Sequence, residues 1–438
     1  MADSYDFIVL GGGSAGYAAA RTAHEYGMKT AVIDGAETLG GLCILRGCMP
    51  SKTLIESSNR FRSIRRADEF GLRASETAID GEEIINRKRE LIGEFAEYRQ
   101  GQLEDGRFDL IRGRASFTGE KSLEVSLREA EGTRELTFRS ALVATGSVVN
   151  RLPLEGLEET GYWTSDDVLE ATKIPESIIV LGGGAIALEL ACYFEGLGRE
   201  VTVVQRSEQL LTGFDEDVAR ALEEAIAGRC NATVFTGTKL LLAESDTESG
   251  QKIVTFEQGE ERKVVKADRI LQALGRKPAT GGLNLEASGV SVGKGGGITC
   301  DREQRTSVET IFAAGDVCGP YEIVHVAIEQ GEIAAHNAAV HLGFTEADTR
   351  KIDYRLKLYG IFTDPQVASV GLTEKEAEDQ KIPFRTASYP FHDHGKSMVM
   401  GETDGFVKMI THAETGEIIG ASVVGPEASD LIHEVVVA

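Results

Sequence analysis

No stretch of the chain approaches the roughly 18 consecutive apolar residues that a membrane-crossing helix needs, which excludes a membrane span as a design feature. Positive charge is in deficit. With 46 Lys and Arg against 70 Asp and Glu, the formal charge is -24, and repulsion between like charges argues against nucleic acid or an anionic membrane as partner. No signal peptide is expected, since only Met1 to Tyr5 precede the apolar run Phe7 to Leu10, with no basic segment ahead of it. The reading is a cytoplasmic protein. Cysteine is scarce, at six in 438 residues, so there is no disulfide scaffold; in a reducing compartment a close pair is there for catalysis or for a metal. Low-complexity segments are absent too, and the length predicts about three domains.

What is present begins with a repeated pattern. Asp6 to Leu10 reads as a buried strand and runs into Gly11-Gly12-Gly13-Ser14-Ala15-Gly16, then a helical stretch from Tyr17 to Tyr26 and a second strand from Lys29 to Ile33 ending at Asp34. Ser177 to Leu181 runs likewise into Gly182-Gly183-Gly184-Ala185-Ile186-Ala187, a helix to about Leu197 and a strand from Val201 to Val204. Two βαβ nucleotide folds are therefore predicted, each placing phosphates at a helix N-terminus behind a glycine turn. In the first, Asp34 stands 23 residues after Gly11, where a carboxylate bonds a ribose hydroxyl. The second ends instead at Gln205-Arg206, with no carboxylate. An arginine there suits a 2'-phosphate, which favours NADPH over NADH; a solvated surface charge is the alternative for Arg206.

The remaining segments are a charged helical stretch from about Thr53 to Glu104, a β-rich meander from about Leu110 to Leu142, a linker near Leu152 to Gly156, and short strands flanking a helical Thr373 to Gln380 beyond Asp353.

Close behind the first fold stands Gly40-Gly41-Leu42-Cys43-Ile44-Leu45-Arg46-Gly47-Cys48-Met49-Pro50-Ser51-Lys52. Four residues separate the cysteines, a spacing that reaches disulfide range on a distorted helical turn. So short a loop gives a staple worth only about 2 kcal/mol, and a chemical role is the better reading. Pro50 suits a first helical turn and the helix is expected after Ser51, so Cys48 would lie near a helix N-terminus that favours its thiolate. Inert buried thiols and half of a metal site are the alternatives, but no second Cys or His pair stands at zinc spacing; no metal residues are assigned.

With these residues in view, the chain resembles the class I pyridine nucleotide-disulfide oxidoreductases, among them dihydrolipoyl dehydrogenase, glutathione reductase and mercuric reductase. Further segments carry the resemblance: Ala144-Thr145-Gly146-Ser147, Ala313-Ala314-Gly315-Asp316, Ile361 to Gln366, and Gly401 to Phe406. It implies an α/β protein with two Rossmann-like FAD- and NAD(P)-binding domains and an α+β interface domain. The implied boundaries are 1–149 and 277–346 for the two parts of the FAD domain, 150–276 for the NAD(P) domain, and 347–438 for the interface domain of a homodimer. Cys43 would be the interchange thiol that meets a small disulfide, dithiol or metal-ion substrate, and Cys48 the thiol against the flavin. Lys52 would lie near flavin N5, paired with Glu189, where a fixed positive charge stabilises the reduced anionic ring. FAD contacts are implied at Gly11, Gly13, Ser14, Ala15, Gly16, Asp34, Gly41, Lys52, Ala115, Thr145, Gly146, Ser147 and Asp316. NAD(P) contacts are implied at Gly182, Gly184, Ala187, Glu189, Gln205, Arg206 and Gly275, and a cofactor contact also at Val324.

The chain departs from the disulfide-reducing pattern in having no His-Pro dipeptide. The expectation is that the sequence ends before the segment carrying that acid-base motif. Mercuric reductase relatives lack the histidine, and Thr363 to Ala368 with Glu402 to Phe406 leans toward them. A redox sensor that switches a partner through Cys43 and Cys48 is a further alternative. His433 reads as a surface or interface residue, and the His392 and His394 pair as a solvated loop. Cys318, two residues past Asp316, reads as a small buried side chain, and Cys192, Cys230 and Cys300 show no partner in the sequence.

Overall fold

In this computed structural model the described residues are 3–128, 130–229 and 231–438, and Cys230 lies outside them. They form an α/β protein that divides into two compact units. The first comprises residues 1–50, 89–150 and 276–353, and the second 51–88, 151–275 and 354–438.

The first unit is built on strand Asp3–Leu10. It pairs in parallel with Thr30–Asp34 on one side and with Thr133–Val143 on the other. Strand Asp109–Gly119 extends the sheet beyond Thr30–Asp34, and Ile311–Ala313 extends it beyond Thr133–Val143. Strand Ser122–Leu127 runs antiparallel to both Asp109–Gly119 and Thr133–Val143. Strand alternation sorts the core. Phe7 and Val9 pack on one face with Val32, Leu142 and Phe312, while Ile8 and Leu10 pack on the other with Ile33, Ala141 and Ile311. Helices Ser14–Glu25 and Val324–Leu342 cover the first face through alanines, Ala15, Ala19, Ala20 and Ala23 against Ala334, Ala335, Ala338 and Ala339. Such small residues let the helices approach closely: a Cβ at Gly331 would lie 2.2 Å from the Ala15 carbonyl oxygen.

In the second unit, a four-stranded parallel sheet runs in the order Arg269–Gln272, Ser177–Leu181, Glu200–Val204, Ala232–Phe235. Ile178 and Val180 face one apolar cluster, Ile179 and Leu181 another. A three-stranded antiparallel sheet spans Thr238–Ser245, Lys252–Gln258 and Glu261–Ala267. The C-terminal part is a five-stranded antiparallel sheet of Leu358–Ile361, Gln366–Gly371, Ile418–Gly425, Phe406–His412 and Phe384–Pro390, against which helix Ala428–Val437 packs. Among the described residues no helix is long and apolar enough to cross a membrane.

Candidate active site

The first glycine turn is built by backbone approach. Gly11 has φ +104°, and a Cβ there would fall 2.5 Å from the Ala144 carbonyl oxygen. A Cβ at Gly16 would fall 1.8 Å from the Gly11 carbonyl oxygen, so no side chain fits between helix and turn. Helix Ser14–Glu25 starts at the fingerprint itself, three residues before the expected Tyr17, with Gly13 as its N-cap. At the end of the second strand the Asp34 carboxylate accepts the Gly12 N–H at 2.8 Å and the Ala36 N–H at 2.8 Å. Ser14 and Ala15 open the helix, their amides at its positively polarised end.

Gly41 meets this turn directly, because a Cβ on it would lie 2.5 Å from Gly13 Cα and its φ is +75°. The cysteine segment therefore starts from the nucleotide turn. Cys43 lies in the short helix Gly41–Leu45, the Arg46 N–H donates to the Leu42 carbonyl at 2.9 Å, and a Cβ at Gly47 would come within 3.3 Å of Cys43 Cα. The chain folds back on Cys43 before Cys48 opens helix Cys48–Arg65, three residues earlier than expected from Ser51. Both cysteines are half-buried. As the first residue of an 18-residue helix, Cys48 sits where the dipole favours a thiolate.

Arg99, on helix Gly81–Leu103, was not singled out in the sequence. Its guanidinium stacks 4.1 Å above the Tyr17 ring and lies within electrostatic reach of Cys43. Burial lowers its own pKa, partly offset by Tyr17, Tyr98 and Cys43. This residue has no motif to announce it, and only the fold brings it beside the thiol.

In the same unit, Ser147 Oγ donates to an Asp316 carboxylate oxygen at 2.6 Å. Arg276 Nε donates to the same Ser147 Oγ at 2.8 Å, and the Thr145 hydroxyl donates to the Ala279 carbonyl at 2.8 Å. Gly146, with φ +71°, lies between them. Ala115 pairs with Val125 in the antiparallel part of the sheet, and Val324 is the first residue of helix Val324–Leu342. The glycine cradle, the engaged Asp34 and the fixed Asp316 together fit a dinucleotide with a polar ribose-like chain.

The second unit repeats the turn with different termini. Gly182 has φ +121°, and a Cβ on it would lie 2.4 Å from the Ala273 carbonyl oxygen; Gly184 caps helix Ala185–Gly196, in which Ala187 is fully buried. Gln205 lies along the turn, its Cδ 2.9 Å from where a Gly183 Cβ would be, and its amide donates to the Gln209 carbonyl at 3.3 Å. Arg206 is exposed, and Gly275 follows the sheet with φ +93°.

The same unit brings Lys52 and Glu189 together across 137 positions of sequence, with Lys52 Nζ 2.8 and 2.7 Å from the two carboxylate oxygens. Glu189 is only 5% exposed. The Phe362 N–H also donates to it at 3.0 Å, and Lys52 Nζ stands 4.9 Å from the centre of the Phe362 ring. A carboxylate accepting three hydrogen bonds from two donors and an ammonium held between carboxylate and ring make a fixed charged pair. Phe362 stood in a segment noted only for the interface domain, and nothing local marks its amide as a partner.

Residues 5–331 match the family described as pyridine nucleotide-disulphide oxidoreductase, and residues 359–438 match its dimerisation domain. The chain belongs to the pyridine nucleotide-disulphide oxidoreductase family. It is an FAD-dependent oxidoreductase that uses NAD(P)H, as the members of this family are. A mercuric reductase of Staphylococcus aureus is 35% identical over 99% of this chain and 77% of its own. A dihydrolipoyl dehydrogenase of Geobacillus stearothermophilus is 31% identical over 98% of this chain and 88% of its own. Among solved structures, LpdA of Mycobacterium tuberculosis superposes with a TM-score of 0.86 at 30% identity, covering 99% of this chain and 92% of its own. The flavoprotein disulfide reductase RclA of Escherichia coli does so at 0.84 and 25% identity over the same shares. The expected family, the α/β fold and the flavin-dependent activity are thus the chain's own.

Proposed function

We propose that Cys43 and Cys48 are the redox-active dithiol of this oxidoreductase and that NADPH drives it to reduce a small disulfide. The observation carrying this reading is the glycine-lined fold-back that starts at the nucleotide turn through Gly41, turns back on Cys43 at Gly47 and sets Cys48 at the head of a long helix. The bound flavin supplies two-electron exchange between the nicotinamide and the dithiol. In the substrate half, the Cys43 thiolate attacks one sulfur of the substrate disulfide, the S–S bond breaks, and one thiol departs. Cys48 then attacks Cys43 in the mixed disulfide, releasing the second thiol and leaving the protein pair oxidised. Arg99 supports the Cys43 thiolate from the side, while Lys52, held by Glu189, places a cation in the helix that Cys48 begins.

The preference for NADPH rests on Gln205 and Arg206 at the strand end. The FAD domain would comprise 1–149 and 277–346, the NAD(P) domain 150–276, and the interface domain 347–438, through which two chains would pair in the cytoplasm. A mercuric-ion reductase is the second reading, supported by the 35% identity to the Staphylococcus aureus enzyme.

Anaerobic NADPH oxidation with lipoamide, glutathione disulfide and mercuric ion as acceptors separates these readings. A small disulfide should be turned over, with a loss of about a thousandfold in kcat/KM for Cys43→Ser. Turnover of mercuric ion alone would establish the second reading. One reduction per site without sustained oxidation on any acceptor would identify a redox sensor instead.

A further inference from the structure

Cys300 and Cys318 had no partner in the sequence, 18 positions apart and outside any motif, yet the fold brings them together in the first unit. The Ile298 N–H donates to the Val317 carbonyl at 2.9 Å, which ties the two segments side by side. Beyond that bond the two thiols come within hydrogen-bonding reach of each other and pack against the same apolar cluster. The surroundings hold both in place. Cys318 Sγ lies 3.3 Å from the Gly315 carbonyl oxygen, and Cys300 Sγ lies 3.9 Å from Oε1 of the fully buried Gln304. Gln330, itself fully buried, accepts the Gly315 N–H at 2.7 Å and donates to the Gly319 carbonyl at 2.8 Å, so the turn that presents Cys318 is fixed at both ends.

The two thiols are not equivalent. The bond from Cys318 lowers the pKa of Cys300, against the opposing effect of burial. Cys318 is raised well above the ordinary thiol value, first by that same bond, then by burial and by the charges of Cys300 and Asp316. Cys300 is thus the more readily deprotonated thiol of the two. Each is partly exposed, unlike Cys192, which is buried and pushed up to about 11 by desolvation.

We propose that Cys300 and Cys318 form a second redox dithiol, separate from Cys43 and Cys48, which a small hydroperoxide converts to a disulfide. Sulfurs already in each other's reach need only close to the bonding distance of about 2 Å. Deprotonated Cys300 attacks one peroxide oxygen, the O–O bond breaks, and Cys300 becomes a sulfenic acid while the departing hydroxide or alkoxide is protonated by a buffer acid. Cys318 then gives up its proton and attacks the sulfenic sulfur. The S–O bond breaks, the S–S bond forms, and water leaves with that proton. Two electrons pass from the sulfurs to the peroxide. The disulfide would lock the Gly315–Gly319 turn, which carries Asp316, to the segment beginning at Ile298. The proposal does not depend on how the Cys43 and Cys48 pair works.

The test treats the holoprotein with hydrogen peroxide, alkylates the remaining thiols with iodoacetamide under denaturing conditions, and maps every cysteine by peptide mass spectrometry. The expected result is a peptide joining Cys300 to Cys318, with alkylation of both falling at least tenfold while Cys192 stays alkylated. In Cys318→Ser, dimedone should trap a sulfenic acid at Cys300; in Cys300→Ser, Cys318 should remain alkylatable. The proposal is overturned if both thiols of the wild type stay alkylatable at a dose that oxidises Cys43, or if either is linked to a different cysteine.

Discussion

The two nucleotide turns of this chain share one backbone plan and differ in what closes it. In each, the first glycine has a positive φ and packs under a carbonyl of a neighbouring strand, Ala144 for Gly11 and Ala273 for Gly182. In each, the residue 23 positions later reaches back to the middle glycine. There the likeness stops. Asp34 places a carboxylate on the Gly12 N–H, whereas Gln205 lays a neutral amide along Gly183 and turns its donor to Gln209. The third position differs too, glycine at 16 and alanine at 187. Glycine geometry makes a dinucleotide site, and the strand-end residue decides which ribose it prefers.

The hardest break in that comparison is Gly16→Ala. A Cβ 1.8 Å from the Gly11 carbonyl oxygen cannot be relieved by a side-chain shift, so a loss of roughly 3 kcal/mol in stability is expected, read as a fall in Tm and flavin-free protein on purification. Next comes Asp34→Ala, which strips an acceptor from the Gly12 and Ala36 amides. It should cost about 2 kcal/mol, seen as faster flavin release in fluorescence. Smaller again is Gln205→Glu, which gives the second turn the carboxylate it lacks. The ratio of kcat/KM for NADPH over NADH should fall about tenfold, or 1.4 kcal/mol, with flavin content unchanged. If that ratio holds steady, the strand end does not set nucleotide choice. Ala187→Gly should be mildest, about 1 kcal/mol of helix propensity, because the second turn already accommodates a side chain where the first does not.

How much of this was legible beforehand follows from where each signal lives. The turns were readable because glycine spacing, flanking strands and the residue at position 34 or 205 are local. The helix at Cys48 was also expected, but Pro50 suggested a later start than the fold-back at Gly47 permits. The Lys52–Glu189 pair spans 137 positions and was reachable only through family resemblance. Phe362, Arg99 and the Cys300–Cys318 contact were out of reach. Each depends on tertiary approach between segments whose sequences carry neither period nor motif, and a backbone amide such as that of Phe362 leaves no residue-type signature at all.

The central claim is that Cys48 takes up electrons in contact with the bound flavin while Cys43 faces substrate. Anaerobic titration of the holoprotein with NADPH, followed by absorbance, tests it most directly. A long-wavelength thiolate-to-flavin charge-transfer band should grow in at two electrons per site in the wild type, and in Cys43→Ser, which keeps the contacting thiol but has no disulfide to reduce, it should be present before NADPH is added. Absence of the band from both proteins, with the flavin fully bound, would contradict the account.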